Sequence, residues 1–155
     1  MGNLLDFAEQ GIFDIIVHGC NCQNRMNSGI AKEIRARYPQ AWEADCRVVC
    51  SPIEKLGTYS YEYAWKGNHN FMIVNAYTQL TYNAKDQPFF DRFEYDSFGV
   101  ILRKLEEKHG SRRFGFPYIG MGLAGGDKDR IITMLDNFAG RVESKGGSVT
   151  LVEFG

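Results

Sequence analysis

Two glycine-bearing segments near opposite ends of the chain constrain its fold more than any other feature. The first covers residues 17–31 (VHGCNCQNRMNSGIA) and the second residues 116–127 (FPYIGMGLAGGD). Each follows a short apolar run and leads into a helical pattern. In such strand–loop–helix units, backbone N–H groups and a helix N-terminus can hold a pyrophosphate. The pattern therefore predicts a domain with two phosphate-binding loops side by side.

Strand-like and helical patterns alternate along the chain, which predicts an α/β fold with a central, largely parallel sheet. The apolar runs at 12–17 and 71–77 have the composition of strands that are covered on both faces. Further strands are predicted at 56–63, 113–119 and 148–154, and helices at 29–38, 41–46, 95–109 and 131–142. The polar stretch 65–70 is predicted as a turn, and 78–93 as a long loop of the kind that is often functional.

Composition describes an ordinary folded domain. Apolar residues make up 44% of the 155 residues and charged residues 24%. The net charge of −1 gives no electrostatic reason to expect binding to nucleic acid or to a membrane. No apolar stretch approaches the roughly 20 residues of a transmembrane helix. We expect one monomeric, cytoplasmic domain over residues 1–155.

The four cysteines predict no metal site. Cys20, Cys22, Cys46 and Cys50 have the spacings C-x-C and C-x₃-C, which do not match common structural zinc sites. Buried, reduced thiols are the better interpretation.

The spacing of Gly120, Gly122 and Gly125 satisfies G-x-G-x-x-G, which is the fingerprint of dinucleotide-binding folds. That fingerprint belongs to the first strand–helix–strand unit of such a fold, whereas only about one helix and one strand follow it here. A phosphate-binding loop of another kind is therefore the better interpretation.

Three polar residues beside the two segments are candidates for catalysis. His18 follows the strand predicted to end at Val17, where an imidazole could act as acid, base or nucleophile. A core histidine with satisfied hydrogen bonds is the alternative. Asp127 precedes the last helix and could be its N-cap, a neighbour of the ligand, or both. Asn21 could contact a ribose hydroxyl or form a turn.

The chain as a whole resembles the macro domain, a three-layer α/β/α fold that binds ADP-ribose. The resemblance runs through GNLL at residues 2–5, HGCNCQ, SGIAKEIRARYP, LGTY, NAYTQ, IGMGLAGGD and TLVEF. The order and spacing of these pieces together are specific. They are most similar to the branch that contains ADP-ribose-1″-phosphate phosphatase and terminal ADP-ribose–protein glycohydrolase. The resemblance implies a central mixed, largely parallel sheet.

The resemblance also implies the ligand-binding residues, with no cofactor and no metal. In macro domains the two loops wrap the diphosphate and the distal ribose. Asn3 and Leu4 would border adenine, Phe154 matches an aromatic residue that often stacks near it, and Asn21 matches the asparagine beside the distal ribose. The loops would comprise Gly29, Ile30 and Ala31, and then Ile119, Gly120, Met121, Gly122, Leu123, Ala124, Gly125 and Gly126.

Some positions depart from the family pattern. Many macro domains have aspartate where Asn3 stands, and a glycine run where this chain has Asn27-Ser28-Gly29. His18 matches the phosphatase branch, whereas other branches have asparagine there. The lysine nucleophile of the glycohydrolase branch would fall near Thr78-Gln79, and neither residue is lysine.

We therefore expect an ADP-ribose-binding hydrolase, and most directly one that converts ADP-ribose-1″-phosphate to ADP-ribose and phosphate without a metal. His18 would protonate the leaving oxygen or activate water, and Asp127 would orient His18 or the water. The alternatives are removal of ADP-ribose from acidic side chains or nucleic acid, deacetylation of O-acetyl-ADP-ribose, and binding without turnover. Nucleic acid is expected only as an ADP-ribosylated substrate.

Overall fold

The computed structural model describes residues 3–22, 29–48, 51–80, 93–120 and 126–153. Their elements are, in chain order, α1 (Leu4–Glu9), β1 (Ile15–Asn21), α2 (Gly29–Arg37), α3 (Pro39–Arg47), α4 (Pro52–Lys55), β2 (Tyr59–Lys66), β3 (His69–Gln79), α5 (Tyr95–His109), β4 (Arg113–Phe116), α6 (Lys128–Ser144) and β5 (Ser148–Leu151). The strands form one sheet in the order β2-β3-β1-β4-β5. All neighbouring pairs are parallel except β2 and β3, which are antiparallel.

One hydrophobic cluster covers each of the two faces of the sheet. Alternate strand residues such as Ile15 and Val17 pack with α5 and α6, whereas Ile16 packs with α1, α2 and α3. This alternation follows from the period of two along a strand. The expected three-layer α/β/α fold with a mixed, largely parallel sheet is therefore confirmed.

The first strand begins and ends later than its apolar run predicts. It starts at Ile15 and continues to Asn21, so that His18 lies in its middle rather than beyond its end. The prediction of an end at Val17 was wrong because β1 is a central strand. Hydrogen bonds to β3 continue through polar residues, and His18 pairs with Asn75 in the register of the two strands.

The β2–β3 hairpin has a shorter turn than predicted. Lys66 pairs with His69, which leaves only Gly67 and Asn68 between the strands. Gly67 has a φ of +60°, as two-residue hairpin turns require of a glycine. Of the residues that we assigned to a turn at 65–70, only Gly67 and Asn68 form it, and the others extend the two strands.

Two short helices escape sequence prediction. α1 is capped by the side chain of Asn3 and α4 by that of Ser51. Neither is long enough to show a helical period. By contrast, Pro39 acts as expected, because α2 ends before it and α3 begins with it.

The cysteines follow the prediction only in part. Cys20 and Cys22 are buried thiols, whereas the thiol of Cys46 is exposed on α3. Cys50 lies outside the described residues. Among the helices described, none has the length and apolar character needed to cross a bilayer.

Candidate functional site

A cavity of about 530 Å³ opens where the carboxyl ends of β4 and β5 meet the first turns of α1 and α2. Ligands of open α/β sheets bind at this edge, outside the carboxyl ends of the strands. Its walls are formed by Leu4, Gly29, Ile30, Glu33, Pro117, Tyr118, Val152 and Glu153. This cavity is the candidate functional site.

The two glycine-bearing segments meet at this cavity. Gly29 and Ile30 come from the first, and Pro117 and Tyr118 from the second. Deeper in the sheet, a Cβ added to Gly19 would lie 3.0 Å from Cγ1 of Ile119. The backbone of β1 therefore passes directly beside the second segment, and a larger residue at position 19 would push the two apart.

The N-terminus of α2 forms part of the cavity wall. Gly29 begins this nine-residue helix with a φ of +58°, a conformation that favours glycine. The first N–H groups of a helix have no partner within it, and they carry the positive end of its dipole. The wall therefore offers main-chain donors to an anion.

The second loop is tied at its two ends. The N–H of Gly126 donates to the carbonyl oxygen of Gly120 at 2.7 Å, and Gly120 has a φ of +75°. A Cβ on Gly126 would lie 2.5 Å from that oxygen, so this close contact requires glycine. The residues between them that we assigned to the ligand lie outside the described residues, as does Phe154; they are Met121, Gly122, Leu123, Ala124 and Gly125.

Asn3 stands beside the cavity with its amide already engaged. Its Oδ1 accepts from the N–H groups of Leu5 at 2.9 Å and Asp6 at 3.2 Å, which caps α1. Its Nδ2 donates to Oε1 of Glu33 at 2.9 Å. The oxygen and the nitrogen of the Asn3 amide therefore both have protein partners. At the cavity wall, the carboxylate of Glu33 offers an acceptor in place of this amide.

Glu33 is a functional candidate that sequence reasoning missed. Its Oε1 also accepts from Nη1 of Arg37 at 2.9 Å, while its side chain keeps 27% of its surface exposed. Its position on α2 was the available signal. Glu33 stands four residues after Gly29 and three after Ile30, and residues with these spacings lie on the same face of a helix.

His18 is completely buried and does not line the cavity. Its Nε2 lies 2.6 Å from Oδ1 of Asn75, whose Nδ2 donates to the carbonyl oxygen of Ala41 and to Oγ of Ser60. These bonds fix the amide, so we assign the imidazole proton to Nε2. Burial lowers the pKa of His18 to about 4, against the opposing effects of Asn75 and Asp45. This geometry matches the alternative interpretation, a core histidine with satisfied hydrogen bonds.

A chain of buried hydrogen bonds continues from Asn75 to a buried ion pair. Oγ of Ser60 lies 2.7 Å from the hydroxyl of Tyr77, which donates to Oδ1 of Asp45 at 2.7 Å. Nζ of Lys55 donates to the same oxygen at 2.8 Å, and both charged side chains are at most 2% exposed. The network joins α3 and α4 to the sheet, so it has a structural role.

The other candidate residues lie at the start of α6, at the end of β1 and beside a buried cluster. Oδ1 of Asp127 accepts from the N–H groups of Asp129 at 2.9 Å and Arg130 at 3.2 Å, which makes Asp127 the N-cap of α6. Asn21 is the last residue of β1, after a shift in the register with β3. Ala31 packs against a buried cluster beside the first loop.

Of the residues assigned to the ligand, Leu4, Gly29 and Ile30 line the cavity, whereas Ile119 is buried in the core. In the part of the chain that the structure describes, no group of three or more histidine, cysteine or acidic side chains could hold a metal ion.

Comparison with known sequences identifies one relative that shows the family. No family model matches the sequence. The uncharacterized 17.5 kDa protein of the tk–vs intergenic region of Enterobacteria phage T4 is 31% identical over 133 residues, which are 83% of this chain and 81% of the phage protein. The chain belongs to the family of that phage protein.

Comparison with solved structures shows the macrodomain fold. The macrodomain of Mycobacterium tuberculosis DarG has a TM-score of 0.73 at 17% identity, and the match covers all of this chain and 95% of that one. Thermosipho africanus DarTG in complex with ADP-ribose has a TM-score of 0.75 at 14% identity, over 94% of this chain and 39% of that one. The Oceanobacillus iheyensis macrodomain with MES bound has a TM-score of 0.64 at 16% identity, over 93% of this chain and 78% of that one.

Proposed function

We propose that this member of the phage protein's family, which has the macrodomain fold, binds ADP-ribose in the 530 Å³ cavity and hydrolyses the bond that joins its distal ribose to an acceptor. The observation that carries the proposal is the meeting of the two glycine-bearing segments at one cavity. Its volume lies within the range of small-molecule sites. ADP-ribose is bound in the DarTG structure, 39% of whose chain matches this fold.

The diphosphate would lie against the first turn of α2 and the loop between Gly120 and Gly126. The N-terminus of α2 supplies N–H donors and a positive dipole end at the wall. The hydrogen bond from Gly126 to Gly120 ties the two ends of the second loop together. Main-chain donors suit this ligand, because they are fixed before it arrives.

The adenine base would lie between Leu4, Val152 and Glu33. Leu4 and Val152 offer apolar wall surface. The carboxylate of Glu33 would accept from the exocyclic amine of adenine, while Asn3 and Arg37 hold it in place. A carboxylate can only accept hydrogen bonds when ionised, so it favours adenine over a base with a carbonyl oxygen at that position.

The distal ribose would then point toward Gly120 and the end of β1, where we place Asn21 beside it. Water would attack C1″, the bond from C1″ to the acceptor would break, and the acceptor would leave with a proton. Positioning and charge stabilisation would supply the rate enhancement. Asp127 stays a proposed contributor at the start of α6. His18 has no direct role in this scheme, because its imidazole is buried and bonded to Asn75.

ADP-ribose-1″-phosphate is the second candidate substrate. The sequence match at His18 favours it, but that residue cannot donate a proton to a leaving oxygen from the core of the protein. We therefore rank removal of ADP-ribose from an acceptor first. Both reactions need the same ribose to be held at the same place.

Turnover assays with matched substrates test the proposal. An ADP-ribosylated peptide, an ADP-ribosylated oligonucleotide and ADP-ribose-1″-phosphate are each incubated with the protein, and released ADP-ribose is measured. We expect release from an ADP-ribosylated acceptor, and retention of activity in His18→Gln. Binding of ADP-ribose without any release would identify a non-catalytic binding module. The phosphatase would be favoured if the wild type turned over only ADP-ribose-1″-phosphate and a folded His18→Gln variant lost that activity.

A further inference from the structure

Three aromatic side chains form an exposed row on one face of β2, at the edge of the sheet. Tyr61, Tyr63 and Trp65 are 51%, 50% and 67% exposed. The rings of Tyr61 and Tyr63 meet edge to face, with their centroids 6.1 Å apart. We call these three residues the aromatic strip. Large side chains exposed together in this way typically mark an interaction surface.

The strip is exposed because α3 covers one face of β2, whereas α5 covers the other face only at Tyr59. The intervening residues Glu62 and Ala64 face the side on which α3 packs, and Ala64 is fully buried. On the other face, Tyr59 packs against the core beside α5. From Tyr61 onward the side chains extend beyond that cover.

On the same face of the sheet as the strip, α5 and Arg112 just after it carry basic side chains. Nζ of Lys104 lies 3.4 Å from the carbonyl oxygen of Gly57, just before β2. Lys108 follows one turn later on the same side of the helix. Beyond it, His109 and Arg112 line a second cavity, of about 280 Å³, together with Tyr63.

Two of the carboxylates near the strip have their own partners. Asp14 also lines the second cavity, but both of its oxygens accept hydrogen bonds from the Arg113 side chain, at 2.8 and 3.1 Å. Hydrogen bonding to Arg113 lowers the pKa of Asp14, against the opposing effect of burial. Glu62 pairs with Arg47. Glu107 is an exposed carboxylate on the same face of α5, so Lys104, Lys108 and Arg112 outnumber it and leave this border with a net positive charge.

We propose that the aromatic strip binds a single-stranded nucleic acid, with bases stacked on its rings and phosphates beside Lys108 and Arg112. Alternate residues of a strand lie about 7 Å apart on one face, and sheets that present aromatic rings in this way stack two or three bases. Duplex bases are already stacked, so a duplex would not fit. Two copies of this chain would bring like charges together at the strip.

This proposal departs from the expectation from net charge. The value of −1 averages over the whole chain, whereas a binding surface depends on where the charges lie. The proposal is independent of ADP-ribose binding, because β2 and the strands at the first cavity lie at opposite edges of the sheet.

Fluorescence anisotropy with labelled dT₂₀ and rU₂₀ tests the stacking. We expect binding at low salt, and weaker binding to a 20-base-pair duplex. Tyr63→Thr with Trp65→Thr should weaken single-strand binding by about 10-fold for each ring, since threonine keeps the strand and removes the stacking. Ile53→Thr, which removes another exposed apolar side chain, is the control and should bind as the wild type.

The charges are tested separately, in case the strand variant does not fold. Lys108→Gln with Arg112→Gln should lower affinity and reduce the slope of log Kd against log salt by about 1.4. Lys32→Gln, on α2, should leave both unchanged. Absence of single-strand binding by the wild type, or unchanged binding in either folded variant, would overturn the proposal. So would a dimer, measured by light scattering, that the strip variant abolishes while no oligonucleotide binds.

Discussion

Glu33 illustrates how a single residue of the candidate site depends on distant neighbours. Its carboxylate is held at the cavity wall by Asn3, thirty positions earlier, and by Arg37 on the next turn of α2. The resemblance to macro domains alone would assign the contact with adenine to Asn3. The cap of α1 uses the oxygen that such a contact would require.

Glu33→Gln should reduce both affinity for ADP-ribose and selectivity for its base. Replacing a charge-assisted hydrogen bond with a neutral one should weaken binding by about 10-fold. Isothermal titration with ADP-ribose and with its hypoxanthine counterpart measures both effects. Glu43→Gln, at an exposed position of α3, is the control. If the variant distinguished the two ligands as well as the wild type does, Glu33 would not contact the base.

His18 should make the protein less stable as the pH falls. Its pKa is about 4 in the folded protein, against an ordinary value of 6.5. Between these values the unfolded chain binds more protons, so the free energy of unfolding falls as the pH drops from 6.5 toward 4. The full loss of unfolding free energy due to His18 is about 3 kcal/mol, because each unit of pKa difference corresponds to about 1.4 kcal/mol.

Urea unfolding at pH 7 and pH 4.5 measures this effect. In His18→Gln the amide can still donate to Asn75, and the loss of stability between the two pH values should be smaller than in the wild type. An equal loss in both proteins would mean that other groups cause the acid sensitivity. The local sequence could not reveal this burial, because the partner Asn75 lies 57 positions away.

At the scale of elements, the buried pair of Lys55 and Asp45 ties α4 to α3. Lys55→Met should lower the free energy of unfolding by about 3–5 kcal/mol, because it leaves a buried carboxylate without its cation. Adding Asp45→Asn removes that charge and should restore part of the stability. Urea unfolding of the two single variants and the double variant gives the coupling between the residues. If the changes in unfolding free energy of the two single variants added up in the double variant, the two residues would not stabilise the fold as a pair.

The elements that could be predicted are those with a strong local pattern. Leu105 and its neighbours give α5 an apolar stripe, and the helix ends where Gly110 predicts. β1 and β3 were located by their apolar runs, although partner strands rather than hydrophobicity set their ends. The extension of β2 through Trp65 was missed, because an exposed aromatic residue at an edge looks like part of a polar turn.

At the scale of the whole molecule, the macrodomain fold brings the two glycine-bearing segments together. Strand order places β1 beside β4, so segments about a hundred positions apart share one edge of the sheet. The alternation of strands and helices made this arrangement predictable. Which side chains line the resulting cavity depends on packing between distant elements, and this could not be read from spacing alone.

Isothermal titration of ADP-ribose into the wild type and Ile30→Glu tests the central claim most directly. Ile30 lies at the cavity wall in the first turn of α2, so a carboxylate there would repel the diphosphate. We predict saturable binding to the wild type, loss of at least about 10-fold in affinity in Ile30→Glu, and no change in Ala36→Glu, which adds the same charge on the exposed side of that helix. Equal affinities in all three proteins, or no binding to the wild type, would contradict the account.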